Sequence, residues 1–447
     1  MRPAGSEQAA LRQSRFVSFD GAVSLSTAHQ RPDRYRHLET DFGNRKRIAR
    51  GGGLSYAAAS FGEGVIVQEM SAFNRLLAFD ERNSYLRVEA GITLKHLLAW
   101  AEKKNLYLPV LPGYPLITVG GCIAADVHGK NPARDGTFCD WVQAMTVFHP
   151  ARGFQMITRS EHPQLFEATC GGYGLTGLLI DATLRLTALP ARNVCLQRVP
   201  TESLSAAIDK LRQGREFDFA YSWHDGAARN HAFGRGLLFF GSWTDEPTRT
   251  KNGRYRPLSA AQRARSPVSV WNKATVRLAN TAFLRLATRQ PRQVKSAFDA
   301  AFPFARQTLY HRFYGRPGLT EVQLLVSDAR LAEFVLRLTA LVHDLEPTLV
   351  MMSLKHFVGR QQSLSMTGSG MLVALDLARS PGTNRFVEAL DALALSIGAQ
   401  PNIAKDSRLP AEIAARALPF YEPFRRRIRQ LDPDRLYESE LSRRLEL

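Results

Sequence analysis

Cysteine is scarce in this chain: Cys122, Cys139, Cys170 and Cys195 are the only four among 447 residues. Their spacing contains no CxxC pair, so no metal site is expected, and four well-separated thiols make no disulfide framework. All four are read as reduced, buried thiols. Long apolar runs are also missing. The first 15 residues are polar and hold no apolar stretch of the kind a secretory signal needs. Nothing reaches the roughly 20 uninterrupted apolar residues of a spanning helix. Residues 274–287 come nearest, but Arg277, Asn280 and Arg285 interrupt them. The expectation is a cytoplasmic protein, or one peripheral on the inner face of the membrane.

Acid is the third shortage. Fifty-nine Lys and Arg face 41 Asp and Glu, a net charge of +18, which suits a partner rich in phosphate. The excess peaks over 248–265, where Arg249, Lys251, Arg254, Arg256, Arg263 and Arg265 occur with no acid. That run reads as a loop. It serves either solubility or docking on an anionic membrane surface, at about 1 kcal/mol per basic residue. Nucleic acid is not expected as a partner, because zinc spacing, helix-turn-helix pattern and RNP-type aromatics are all absent.

A chain this long favours two domains. Residues 62–70, 84–89, 145–149 and 177–186 read as strands. Apolar residues at helical spacing predict a helix over 91–104, with Thr93 as its cap. Residues 190–200 read as a boundary. Beyond it, helices are predicted over 203–212, 329–345 and 383–398, and strands over 217–223, 236–243, 321–326 and 370–377. The fold class is therefore α+β. The segment 271–287 has apolar residues at helical spacing with Arg277 and Arg285 among them; it is either a membrane-surface helix or a core helix.

Three glycine-rich segments carry most of the chemistry. The first is Arg50, Gly51, Gly52, Gly53, Leu54, Ser55 and Tyr56. The second runs from Pro112 and Gly113 through Thr118, Gly120, Gly121, Cys122 and Ala125 to His128, Gly129, Lys130 and Asn131. The third holds Gly172, Gly174 and Gly177, with Ile180 just after it. Glycine lets backbone N–H groups approach an anion closely, so three such loops point to a pyrophosphate held by main chain. Thr118 reads as the start of a helix whose first amides face a phosphate. The third segment matches GxGxxG, but a helix-like stretch stands before it and a strand-like stretch after it, with no acid from 182 to 200. A Rossmann reading is therefore rejected.

These segments resemble the PCMH-type FAD-binding domain of vanillyl-alcohol-oxidase-type flavoproteins, and in particular the decaprenylphosphoryl-β-D-ribose 2′-oxidase family. Ala404, Lys405, Asp406, Ser407 and Arg408 extend the resemblance, as does the ending Ser442 to Leu447. Tyr221 to Asp225, Gln323, Lys355 and Asp376 are weaker matches; residues 227–308 are looser. The resemblance implies a two-part FAD-binding domain over 1–195, a substrate domain with an antiparallel sheet over 196–401, and a segment 402–447 that returns to the FAD domain. It implies oxidation at C2 of the ribose of a polyprenyl-phosphoryl pentose, with a short-chain reductase then acting on the 2-keto product to reach the arabinose donor.

Hydride transfer from a carbinol needs a group to take the hydroxyl proton and positive charge beside the flavin. Lys405 and His128 are the catalytic candidates, and both remain open as the base. A salt bridge from Lys405 to neighbouring Asp406 is the competing structural role. Tyr56, Lys130, Gln323, Lys355, Asp376 and Lys405 are the substrate candidates. Two departures from the family pattern bear on this. Leu54 stands where covalent members carry a flavin-linked His, so FAD should be non-covalent. Ala374 stands where mycobacterial-type decaprenyl oxidases carry a Cys. Two other readings remain: a soluble sugar, alditol or aldonolactone oxidase of the same superfamily, and a non-catalytic basic protein that binds membrane or nucleic acid.

Overall fold

The computed structural model describes residues 11–228, 232–248, 266–303, 305 and 308–447. The basic run falls outside these apart from Thr248. Three main sheets build the protein. The first has four strands in the order Arg12–Val17, Ser24–Gln30, Ile66–Glu69, Arg47–Arg50. The second has five antiparallel strands, Leu76–Asp80, Tyr85–Glu89, Leu178–Arg185, Val142–His149 and Gly153–Thr158. The helix Leu94–Lys103 packs beside it, and Thr93 Oγ1 accepts from the His96 amide.

The third sheet has eight strands in the order Arg292–Ser296, Asn193–Thr201, Gly236–Thr244, Phe219–His224, Leu349–Gly359, Gly368–Ala378, Leu319–Ser327 and Gln400–Pro401. Every neighbouring pair is antiparallel. One face is apolar. Its Val322, Leu324, Leu354 and Leu375 share a buried cluster with Ile208, Phe334, Leu338, Phe386 and Leu390 of a helix layer. That layer consists of the helices Leu204–Gln213, Leu331–Leu345 and Pro381–Ile397. Burial of one apolar stripe per helix is what holds such a layer.

Most of residues 190–200, where a boundary is expected, is strand, the first in chain order of the eight-stranded sheet. Asn193–Thr201 pairs with Gly236–Thr244 along its whole length, but with Arg292–Ser296 only as far as Gln197. Pro200 therefore sits where the strand has a free side, the position at which a missing N–H costs no ladder bond. Residues 402–447 cross back to the first sheet. Leu441, Leu445 and Leu447 are buried with Phe16, Ile48, Phe61 and Tyr173, and the Arg47 amide donates to the Leu436 carbonyl at 2.8 Å. His149 and Asp432, each 2 % exposed, meet at 3.4 Å beneath this segment. Cys122, Cys139 and Cys170 are buried free thiols, while Cys195 is only half-buried. Among the described residues no helix is long and apolar enough to cross a membrane.

Candidate active site

The first glycine segment is rich in unused backbone donors. Among the described residues, none of the amides of residues 52–56 donates a hydrogen bond. The loop is held by its other polar groups: Ser55 O accepts from the Phe19 amide at 3.0 Å, and Tyr56 O accepts from Ser407 Oγ at 2.8 Å. Gly53 has φ +63°, and a Cβ on Gly52 would meet the Leu116 carbonyl at 2.7 Å. Consecutive free N–H groups around a left-handed glycine form an anion-binding concavity. The residues therefore fit a pyrophosphate here.

The other two glycine segments do different work. At the helix Val119–Ala124 the expected phosphate-facing amides are already used. Val119 N donates to Ile92 O at 2.9 Å, Gly120 N to Ala90 O at 2.7 Å, and Gly121 N to Thr118 Oγ1 at 3.2 Å. In the third segment the glycines permit close packing: a Cβ would meet Ala168 O at 1.9 Å from Gly172 and Phe148 O at 2.4 Å from Gly177. The strand Leu178–Arg185 comes directly after it and the helix Pro163–Thr169 stands before it. Arg50 turns its guanidinium to Ser60 Oγ at 2.8 Å and the Phe16 ring at 4.8 Å. Asn131 ties the two halves of the protein together, donating to Phe217 O at 2.7 Å.

Opposite the second segment stands the polar face of the eight-stranded sheet. Its register sets the site in rows: Glu321, Asp376 and Met351; then Gln323, Ala374 and Ser353; then Leu325, Leu372 and Lys355. Two groups of charge result. In the basic group, Lys355 Nζ lies 3.2 Å from Gly129 O and 3.5 Å from His128 Nδ1, and His128 Nε2 lies 3.5 Å from Gln323 Oε1. Gln323 Oε1 also accepts from Asn402 Nδ2 at 2.6 Å. His128 Nδ1 also lies 3.3 Å from Gly129 O, so this nitrogen stands between a carbonyl and the Lys355 ammonium. Burial, and then the Lys355 charge, hold its pKa well below the usual histidine range. Among the described residues, Lys130 Nζ reaches only the carbonyls of Leu111 and Pro112, both at 3.5 Å. Burial lowers the pKa of Lys130 and pushes that of Lys355 down to about 8, with Lys405 adding to both. Among the described residues, neither Lys130 nor Lys355 has a carboxylate within ion-pair distance.

The second group is acidic. Glu321 pairs with Lys405 Nζ at 3.1 Å, and that ammonium lies 4.2 Å from the centre of the Tyr56 ring. Lys405 is thus bonded across the sheet, not to its neighbour Asp406, which pairs with Arg408 at 2.9 Å. Asp376 accepts from Tyr310 Oη at 2.5 Å, and Tyr310 Oη lies 2.8 Å from Tyr314 Oη. Burial, then the nearby Glu321, push the Asp376 carboxyl up to about 7.

Sequence reasoning missed Glu321, Tyr310, Tyr314 and Asn402. Strand alternation could have found Glu321, two residues from Gln323 and so on its face; the tyrosines lie in a segment without periodic signal.

Asp376 makes the protein sensitive to pH. Its carboxyl is raised from 3.8 to about 7 on folding, so its contribution to stability is full below the unfolded pKa and is lost as pH rises through the folded one. Wild type should lose melting temperature relative to Asp376→Asn as pH rises from about 4 to about 7. Parallel melting curves that keep a constant difference across this window would refute the assignment.

The FAD binding domain family model matches residues 42–156. The decaprenylphosphoryl-β-D-ribose oxidase of Mycolicibacterium smegmatis is 30 % identical over 418 residues, covering 91 % of this chain and 90 % of that protein. The D-lactate dehydrogenase of Anaerostipes hadrus is 30 % identical over 166 residues, 36 % of this chain and 34 % of that one. L-gulonolactone oxidase 5 of Arabidopsis thaliana is 28 % identical over 154 residues, 33 % of this chain and 26 % of that one.

Proposed function

Because this chain belongs to the decaprenylphosphoryl-β-D-ribose oxidase family of FAD-dependent oxidoreductases, we propose that it oxidises the C2 hydroxyl of a polyprenyl-phosphoryl-β-D-ribose to the 2-keto sugar. A short-chain reductase acting on that product would complete the change to the arabinose donor. One observation supports the phosphorylated substrate: among the described residues, buried Lys130 and half-buried Lys355 lie on the same side of the site with no carboxylate within ion-pair distance. Buried ammonium groups lose their charge unless an anion joins them, and a substrate phosphate is such an anion. A soluble alditol or lactone would leave that pair uncompensated.

The amides of residues 52–56 would hold the FAD pyrophosphate, and Leu54 offers no nucleophile for a bond to the flavin. When bound, FAD supplies the acceptor for the hydride leaving C2. His128, kept neutral by its surroundings, is the group that accepts the hydroxyl proton. Lys405, ion-paired with Glu321, acts as fixed positive charge and positions Tyr56. Gln323 and Asp376 hold sugar hydroxyls from the sheet side, in the row of Ala374 and the row next to it.

Purified protein should be reduced by lipid-phosphoryl ribose and far more slowly by free ribose, alditols or aldonolactones. Reduction by the free sugars alone would overturn this reading. Acid precipitation should leave the yellow colour in the supernatant; colour retained in the pellet would refute non-covalent binding.

A further inference from the structure

The helix Lys273–Thr288 has two unlike faces. Val276, Asn280 and Ala287 face inward. There Val276 packs in one cluster with Tyr314, Leu319 and Val350, bordered by Tyr56 and Tyr310, and Asn280 Nδ2 donates to Asp225 at 2.9 Å. The inner face therefore backs the acidic side of the candidate active site. The outer face repeats an apolar residue every fourth position: Ala274, Leu278, Ala282 and Leu286. Leu278 is 74 % exposed and Leu286 62 %. Just before the helix, Val268 is 70 % exposed.

Large side chains left in water at i and i+8 of one face are not what a core or a plain solvent-facing helix shows. Charge selects the covering partner. Arg277, Arg285 and Arg289 are all exposed along this helix and its end, while Asp and Glu are absent from residues 266–298. An apolar stripe flanked by arginines matches the boundary between acyl chains and anionic headgroups. A second copy of this chain would bring the same arginines against themselves, which like-charge repulsion opposes.

We propose that the outer face of this helix docks the protein on an anionic phospholipid surface. Leu278 and Leu286 enter the headgroup boundary and the arginines meet lipid phosphates. The docked helix would bring the active site to the membrane, where a lipid-linked sugar resides; that purpose rests on the proposed reaction, but the docking itself does not.

The test is sedimentation of the FAD-loaded protein with vesicles of equimolar phosphatidylcholine and phosphatidylglycerol, and of phosphatidylcholine alone. Each basic residue near an anionic surface strengthens binding about fivefold. Wild type should therefore bind the anionic vesicles at least about tenfold more tightly than the neutral ones. Leu278→Ser with Leu286→Ser should weaken anionic binding by about tenfold or more. Neither side chain supports the interior, so the double variant should keep its flavin absorbance and melting temperature. Failure of wild type to sediment, or equal binding by the double variant, would overturn the proposal. So would a wild-type dimer that the double variant turns into a monomer. Flavin reduction by detergent-dispersed lipid-phosphoryl ribose is measured separately. Its failure beside intact vesicle binding would count against the proposed reaction alone.

Discussion

Lys405→Met should slow flavin reduction by substrate about a thousandfold, in the range that a lost charge or proton-transfer group produces. The lysine supplies a cation to the acidic side of the site. It bonds Glu321 at 3.1 Å and stands 4.2 Å from the Tyr56 ring centre. Methionine keeps the length of the side chain and removes its charge, so three things change together. Positive charge near the reacting hydroxyl is lost. Glu321, 6 % exposed, stays buried without its partner. Tyr56 loses the cation that holds its ring. Burial and Glu321 already raise the Tyr56 phenol well above its ordinary pKa, so it remains neutral and cannot replace the charge. Stopped-flow reduction of the bound flavin measures the chemical step directly. A rate within about tenfold of wild type would remove Lys405 from the machinery. Glu321→Gln in the same background tests the coupling, because it removes the uncompensated carboxylate. Partial recovery of melting temperature without recovery of rate is the expected result.

Gly52→Val should give a folded protein that purifies without colour. The added Cβ would stand 2.7 Å from the Leu116 carbonyl, a backbone atom that cannot swing aside. The loop must move away from 115–118, which displaces the free amides of 52–56. Hydrogen bonds to a charged phosphate contribute roughly 1.5–3 kcal/mol each, so losing two should weaken FAD binding by more than about a hundredfold. The check is the flavin-to-protein absorbance ratio after gel filtration, with circular dichroism to show that the fold persists. Gly382→Ala serves as the control, since its nearest neighbour is Ser380 Oγ at 3.8 Å. Normal flavin content in Gly52→Val would mean that the pyrophosphate is held elsewhere.

The α+β class and the alternation of elements were legible because period-2 and period-3.6 apolar patterns survive in Leu319–Ser327, Leu331–Leu345 and Pro381–Ile397. Leu349–Gly359 was not recognised. It carries Ser353, Lys355 and His356 within an otherwise apolar run, and with Lys355 and His356 on opposite faces its polar residues break the alternation that marks a half-buried strand. His128, Lys130, Gln323, Lys355 and Lys405 were expected at one site from the family resemblance and, for His128 and Lys130, from their place beside the second glycine segment. The division of labour among the glycines was not. Residue type shows that a Cβ is excluded; it does not show whether a carbonyl, as at Gly172, or a ligand, as the free amides near Gly52 suggest, fills the space. Register across strands distant in sequence made Glu321 and Asp376 neighbours, and no local pattern carries that information.

Leu441, Leu445 and Leu447 complete the core that begins at Phe16, and this has a consequence for synthesis. A ribosome makes Phe16, Ile48 and Phe61 early and their partners at 441–447 only much later. During that interval Phe16, Ile48 and Phe61 wait for partners, and long-range closure of this kind is slow. The core beneath the first sheet is therefore closed only once residues 441–447 have left the ribosome.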